Sequence, residues 1–295
     1  MVEAWWKPAP DHGDQWTWGS VSGVAVDNPN RIIVAIWGDQ GTQGQGERPR
    51  STNYLVVVNR NGDIVENWLQ WDTLFNRPHQ VYISPYDPER HVWVVERGGN
   101  GVHEQILKFT NDGKRLVMRL RDPQPVMSEE EQRKNTNPGP LDFGQPAVLA
   151  FLPDGHFLLG DGYQNGRVVK YTNDGQFVMQ FGSVGTGPGQ FDLVHGIAVD
   201  RNSRIYVSDR MNHRVQVFTP DGKYIEGPEP DAQVQRERRA SGLLRCIRKG
   251  LVARKARVHV LHGAGCVWWH GASAPDGQRR AGQSLRRRVE RPVDG

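Results

Sequence analysis

Two cysteines in 295 residues, Cys246 and Cys266, leave no disulfide framework and no Cys-x-x-Cys metal knuckle. No apolar run approaches the roughly 18 residues that a membrane-spanning helix needs. The opening MVEAWWKPAPDHGDQ lacks the basic-then-apolar layout of a secretory leader. That predicts a cytoplasmic product, or a secreted or periplasmic one if residues precede this start. A 3.6-residue apolar period is missing, which excludes a helical solenoid. Phenylalanine and tyrosine, 9 and 7 in the chain, are absent from residues 231–295. That stretch instead carries 15 basic against 5 acidic residues, while the first 230 residues carry 22 against 28. The overall charge of +4 therefore averages an acidic body and a strongly basic tail. An acidic body offers no basic face for phosphates, which argues against nucleic acid as its partner.

What the body has is repetition. Four segments read alike: SGVAVDNPNRIIVA (22–35), HQVYISPYDPERHVWVVE (79–96), AVLAFLPDGHFLLGDG (147–162) and HGIAVDRNSRIYVSD (195–209). Each is an apolar strand, a polar turn and a second strand. Each is followed by a third alternating run closed by Asn-Gly or Asp-Gly: YLVVVNRNGD (54–63), QILKFTNDGK (105–114), RVVKYTNDGQ (167–176) and RVQVFTPDGK (214–223). A short fourth strand such as QFVMQFG (176–182) comes next. Period-2 alternation with these turns predicts antiparallel hairpins. Four strands per repeat predict an all-β propeller of four-stranded blades, of which about four are present. Insertions at 38–52 and 122–144 read as exposed loops. Trp5, Trp6, Trp16 and Trp18 are predicted to pack the first blade's edge, with a peptide groove as the alternative.

The chain thus divides into an N-terminal segment (1–19), blades (20–228) and a basic, arginine-rich tail (229–295). The tail has no strand alternation and no clean heptad. It reads either as a nucleic-acid arm or as a disordered, non-native stretch such as a shifted reading frame produces.

The run GQFDLVHGIAVDRNSRIYVSDRMNHRVQVFTPDGK resembles an NHL repeat, and GSVGTGPGQF (182–191) resembles the Gly-rich turn that leads into one. No helical pattern follows that turn, so it makes a poor phosphate loop. Over about residues 18–226, the segments VSGVAVD (21–27), RPHQVYI (77–83), DGYQNGRVVKYTNDGQFVMQFG (161–182) and VHGIAVD (194–200) resemble the peptidyl-α-hydroxyglycine α-amidating lyase family. The resemblance implies a six-bladed plan, zinc and calcium in a central channel, and cleavage of a C-terminal α-hydroxyglycine to a peptide amide and glyoxylate. It also implies that His79 and His195 are two of three zinc-binding histidines and that Tyr163 is the catalytic tyrosine. Val24 and Val81 would offer backbone carbonyls to calcium. Two family features have no counterpart. RIIVAIWGDQ places Trp37 where the family has a catalytic arginine, and residues 1–226 hold no match for a last blade's third histidine and calcium-binding aspartate.

Blade register supports the histidines independently. The residue preceding each repeated core is Ser22, His79, Ala147 or His195, so histidine fills one equivalent slot in alternate blades. Imidazoles converging on an axis with a position left open make a catalytic zinc geometry; a histidine at a strand start can equally bond a neighbouring carbonyl. Zinc would polarise a substrate hydroxyl, and Tyr163 would take its proton. Tyrosine is a weak base at neutral pH and needs a nearby cation for this work. An arginine would serve and could also bind the substrate carboxylate; Trp37 can do neither, and Arg48 and Arg50 are the nearest alternatives in sequence. His91, His103, His156 and His213 read as solvated or loop residues, and His259, His262 and His270 as tail residues outside the channel. The expected partner is a peptide or small α-hydroxy amide. The alternative function is a non-catalytic NHL scaffold that binds a peptide, protein or nucleic acid on its rim.

Overall fold

A computed structural model describes residues 6–7, 17–40, 52–99, 101–121 and 128–227. Trp5, Trp16, Arg48, Arg50, both cysteines and the whole basic tail lie outside the described residues.

The repeats form four antiparallel four-stranded sheets, each with its strands in chain order. The first blade comprises Val21–Asn28, Arg31–Ile36, Leu55–Val58 and Ile64–Asn67. The second comprises Pro78–Ile83, Val92–Glu96, Gln105–Phe109 and Leu116–Arg121. The third comprises Val148–Phe151, Phe157–Asp161, Arg167–Tyr171 and Phe177–Phe181. The fourth comprises Val194–Val199, Ile205–Asp209, Arg214–Phe218 and Tyr224–Glu226. Strand alternation buries one side chain in two, and blade packing buries the rest. The middle strands are therefore almost wholly interior, as Leu55–Val58 and Gln105–Phe109 are.

Each outer hairpin is a three- or four-residue loop rather than a two-residue turn. Thr110 N–H bonds Arg115 O, and Gly113 N–H returns to Thr110 O at 2.9 Å. The closing glycines Gly62, Gly113, Gly175 and Gly222 all have φ between 68° and 89°, which a side chain would strain. The hydroxyl of the preceding threonine bonds the turn aspartate, Thr110 to Asp112 and Thr219 to Asp221. This fixes the Thr-x-Asp-Gly pattern read in the sequence.

Three cores lie between successive blades. Ile33, Leu55 and Val57 meet Val81, Val94 and Phe109 between the first two. Trp93 and Ile106 meet Phe157, Leu159 and Tyr171 between the second and third. Leu158 and Val168 meet Phe191, Val207 and Phe218 between the third and fourth. On the far face of the first blade, Trp6 and Trp18 cover Val34, Ile36, Val56 and Val58, with ring centroids 4.7 Å apart. Both therefore sit at the predicted blade edge.

The inner strands pack backbone to backbone. A Cβ on Gly23 would lie 2.7 Å from the Val81 nitrogen, so only glycine permits that approach. The insertion expected to be an exposed loop is a correction from residue 128 onward. Glu129–Lys134 is a short helix closed by a Ser128/Glu131 capping box. Phe143 behind it is fully buried, and Tyr171 Oη donates to Pro140 O. The Gly-rich turn forms a small parallel bridge, Ser183–Val184 with Gln190–Phe191, and no helix follows it. No helix among the described residues is long and apolar enough to cross a membrane.

Candidate active site

The site is held from beneath by one carboxylate in each of the second, third and fourth blades. Glu96, Asp161 and Asp209 end the second strands and are fully buried. Each accepts backbone N–H groups from the chain entering an inner strand. Arg77 N–H bonds Glu96 at 2.9 Å, Gly144 N–H bonds Asp161 at 2.7 Å, and Asp192 N–H bonds Asp209 at 2.9 Å. His79 and His195 follow two and three residues after those donors in the second and fourth blades, so each histidine's backbone is tied to its own blade.

In the third and fourth blades an arginine pairs the acid across the ladder. Arg167 Nε lies 2.9 Å from Asp161 and Arg214 Nε lies 3.0 Å from Asp209, all four side chains being buried. Asn165 and Asn212 complete these clusters at 2.7 Å each. In the second blade the residue opposite Glu96 is Gln105, whose amide donates to Leu74 O instead. With no arginine there, burial pushes the Glu96 carboxyl up to about 7, despite the backbone donors of Arg77, Gly98 and Asn76 that oppose the shift; the Glu104 charge adds to the rise.

Above this base, His79, His195 and Tyr163 converge. Tyr163 Oη lies 3.1 Å from His79 Nε2 and 3.0 Å from His195 Nε2. The two imidazole centroids are 5.1 Å apart, and both histidines are buried. His79 Nδ1 lies 2.6 Å from the carbonyl of Ala147, the residue in the same slot of the next blade. A carbonyl can only accept, so Nδ1 carries the hydrogen and Nε2 presents its lone pair to the site. The carbonyl-bonding reading of a slot histidine is met at Nδ1, and Nε2 is left facing Tyr163. Ser22 repeats the inter-blade bond one blade earlier, donating to Pro78 O.

Val24 and Val81 lie on adjacent inner strands, paired with Val34 and Val94 in their own sheets. Val81 is buried in the first inter-blade core and the Val24 side chain is exposed. Trp37 follows the second strand of the first blade, where the Arg77 guanidinium lies 6.0 Å from its ring centroid. His91 was expected to be solvated and is buried instead, its Nδ1 2.7 Å from Asp87 Oδ2; the turn Asp87–Arg90 folds back over it. His213 is exposed, as expected, in a left-handed conformation.

Sequence reasoning missed Arg97 and Gln145. The Arg97 guanidinium carbon lies 3.7 Å from the Tyr163 ring centroid, stacked on its face. Its Nε and Nη2 donate to Gln145 Oε1 at 3.1 and 2.6 Å. Gln145 is buried with φ of 58°, a conformation that disfavours any side chain. The signal was present in the blade alignment: the residue after each strand-ending acid is Arg97, Gly162 or Arg210. Among the described residues no three His, Cys, Asp or Glu side chains converge as a metal set; the third donor facing the histidines is the Tyr163 oxygen.

The four-stranded antiparallel blades are those of a β-propeller, and the fourth carries an NHL repeat. The NHL repeat family model matches residues 191–218, the heart of the fourth blade. The chain is similar to NHL repeat-containing proteins and to amidating lyases and monooxygenases. NHL repeat-containing protein 3 is 31% identical over 214 residues in Mus musculus and 28% identical in Homo sapiens, covering 72% of this chain and 55% of the relative in each case. Peptidylglycine alpha-amidating monooxygenase of Rattus norvegicus is 29% identical over 225 residues, covering 70% of this chain and 21% of the relative. Peptidyl-alpha-hydroxyglycine alpha-amidating lyase 1 of Drosophila melanogaster is 26% identical, covering 68% of this chain and 38% of that protein. The chain thus spans about half the length of the first curated relatives it matches. Among solved structures, a streptogramin B lyase aligns with a TM-score of 0.47 at 12% identity, over 74% of this chain and 60% of that one.

Proposed function

We propose that the His79–Tyr163–His195 cluster is the centre of a metal-assisted carbon–nitrogen lyase acting on a peptide or small amide that ends in α-hydroxyglycine. The observation that carries this reading is the Tyr163 hydroxyl within hydrogen-bond reach of two imidazole Nε2 atoms. The donors fit a cation such as zinc: the Ala147 carbonyl fixes the His79 tautomer so that Nε2 faces inward, as the second shell of a metal-binding histidine does. Zinc held there would polarise the substrate's hydroxyl. The Val24 and Val81 carbonyls are proposed as part of a calcium site, supplying two of the six to eight oxygens that ion takes.

The residues' own work is proton handling. The carbinol O–H proton would pass to the deprotonated Tyr163 oxygen, which later returns it, as the carbinol carbon–oxygen bond becomes a carbonyl. The C–N bond breaks, its electron pair stays on nitrogen, and a proton returned to that nitrogen gives the amide. The other product is glyoxylate, and no oxidant or reductant is consumed. The similarity to amidating lyases and monooxygenases supports this class of substrate.

Purified protein loaded with zinc should release glyoxylate from N-benzoyl-α-hydroxyglycine. Protein that takes up no zinc and leaves this compound intact would instead favour a non-catalytic NHL scaffold. Trp37, in place of an arginine and beneath Arg77, is the observation on that side.

A further inference from the structure

We infer that Arg97 is the residue that binds the substrate's terminal carboxylate, taking over at the end of the second blade's second strand a task that Trp37 cannot perform. The inference rests on the lyase reading of the same site and goes beyond it by assigning how the substrate is gripped.

Three observations carry it. First, Arg97 stacks on the face of Tyr163, with its guanidinium carbon 3.7 Å from the ring centroid. The charge therefore lies beside the reacting oxygen. In an α-hydroxyglycine the carboxylate is bonded to the same carbon as the hydroxyl. A group that reaches Tyr163 with its hydroxyl must hold its carboxylate close by, and Arg97 is a cation already stacked there. Second, Arg97 is aimed. Nε and Nη2 both point at Gln145 Oε1, and its backbone N–H bonds Arg77 O at 3.2 Å. A guanidinium held along one edge is pre-set for planar, two-point recognition of a carboxylate, which an ammonium group cannot reproduce. Third, the fold accepts strain for this contact. Gln145 sits at φ 58° although it is not glycine, and its side chain is buried against the arginine. A left-handed non-glycine residue persists where its surroundings impose it, and such residues cluster at functional sites. Here the Gln145 side chain accepts from Arg97.

Arg77, whose guanidinium lies over Trp37 rather than over Tyr163, is a second arginine near this site. It supplies the internal comparison for the test.

Zinc-loaded full-length protein and its Arg97→Gln, Arg97→Lys and Arg77→Gln variants would be titrated calorimetrically with N-benzoyl-α-hydroxyglycine and with its methyl ester, and glyoxylate release followed in parallel. The native protein should favour the acid over the ester. Arg97→Gln should abolish that preference, weakening acid binding roughly 10- to 100-fold, the range expected for a lost charge-assisted pair. Ester binding should be unchanged in the same variant, which shows that the pocket is still folded. Arg97→Lys should recover only part of the preference, and Arg77→Gln should leave it intact. A preference that survives Arg97→Gln while native protein turns over the acid would overturn the assignment and leave the lyase reading standing. Native protein that binds neither compound and releases no glyoxylate would overturn both.

Discussion

Tyr163 has one hydroxyl hydrogen and two imidazole nitrogens within reach, and that imbalance sets its behaviour. His79 Nε2 has only a lone pair to offer, because Nδ1 is committed to Ala147 O. The phenol therefore donates to His79, and its oxygen also faces His195 Nε2. Replacing Tyr163 with phenylalanine removes the link and keeps the ring under Arg97. Glyoxylate release should fall by about 10²- to 10⁴-fold, the usual worth of a positioned proton-transfer group. Far-ultraviolet circular dichroism and zinc content should change little. Loss of bound zinc along with activity would instead place the Tyr163 oxygen among the metal's holders.

At the scale of the strand and its clamp, the three blades differ in one pairing. Asp161 and Asp209 each face an arginine, and Glu96 faces Gln105. Truncating Arg214 to alanine strands a buried carboxylate and should cost about 3–5 kcal/mol in urea denaturation. Glu96 behaves differently because no arginine offsets its burial. Its folded pKa of about 7 stands above the ordinary value of 4.5. The folded state therefore binds more protons than the unfolded chain between those two values. This contribution to stability is whole below about pH 4.5 and drains away as pH rises towards 7. A shift of that size corresponds to about 3 kcal/mol. Glu96→Gln should flatten the fall in stability across that window, as followed by denaturant midpoints from pH 4.5 to 8. An unchanged slope would mean that the Glu96 charge is already satisfied by its backbone donors.

These same elements show what the sequence could and could not reveal. Strand order, hairpin positions and the shared slot of His79 and His195 were legible, because period-2 alternation and the Asp-Gly turns act locally. The strand-ending acids were legible too, at matched positions in the last three repeats. What they clamp was not, since Asp192 and Leu193 reach Asp209 only through sheet closure. Arg97 was hidden for the same reason: its partners, Tyr163 and Gln145, belong to the next blade. The helix at Glu129–Lys134 was missed despite its Ser-x-x-Glu box, because six residues carry too little apolar pattern to stand out.

In the molecule as a whole, stability resides between blades rather than within them. Trp93 belongs to the second blade but packs on Phe157 and Phe151 of the third, with centroids 4.9 and 5.4 Å away. Trp93→Ala should cost about 3–5 kcal/mol in thermal or chemical unfolding. Because the deleted contacts join two blades, the variant should also unfold less cooperatively, with a shallower denaturant slope. A steep, single transition at lower denaturant would show that the remaining core still couples the blades.

Gly162 separates the buried clamp at Asp161 from Tyr163, and a Cβ there would collide with the backbone of Val194, the residue just before His195. The missing side chain works as a spacer gauge between the third and fourth blades. In a saturation scan scored by activity, residue 162 should therefore be as intolerant as Tyr163 itself, although it has no functional group to lose. A scan scored by expression alone would separate the two, because Tyr163 would tolerate exchange and Gly162 would not. Selection on this chain would thus guard a distance as strictly as it guards a reagent.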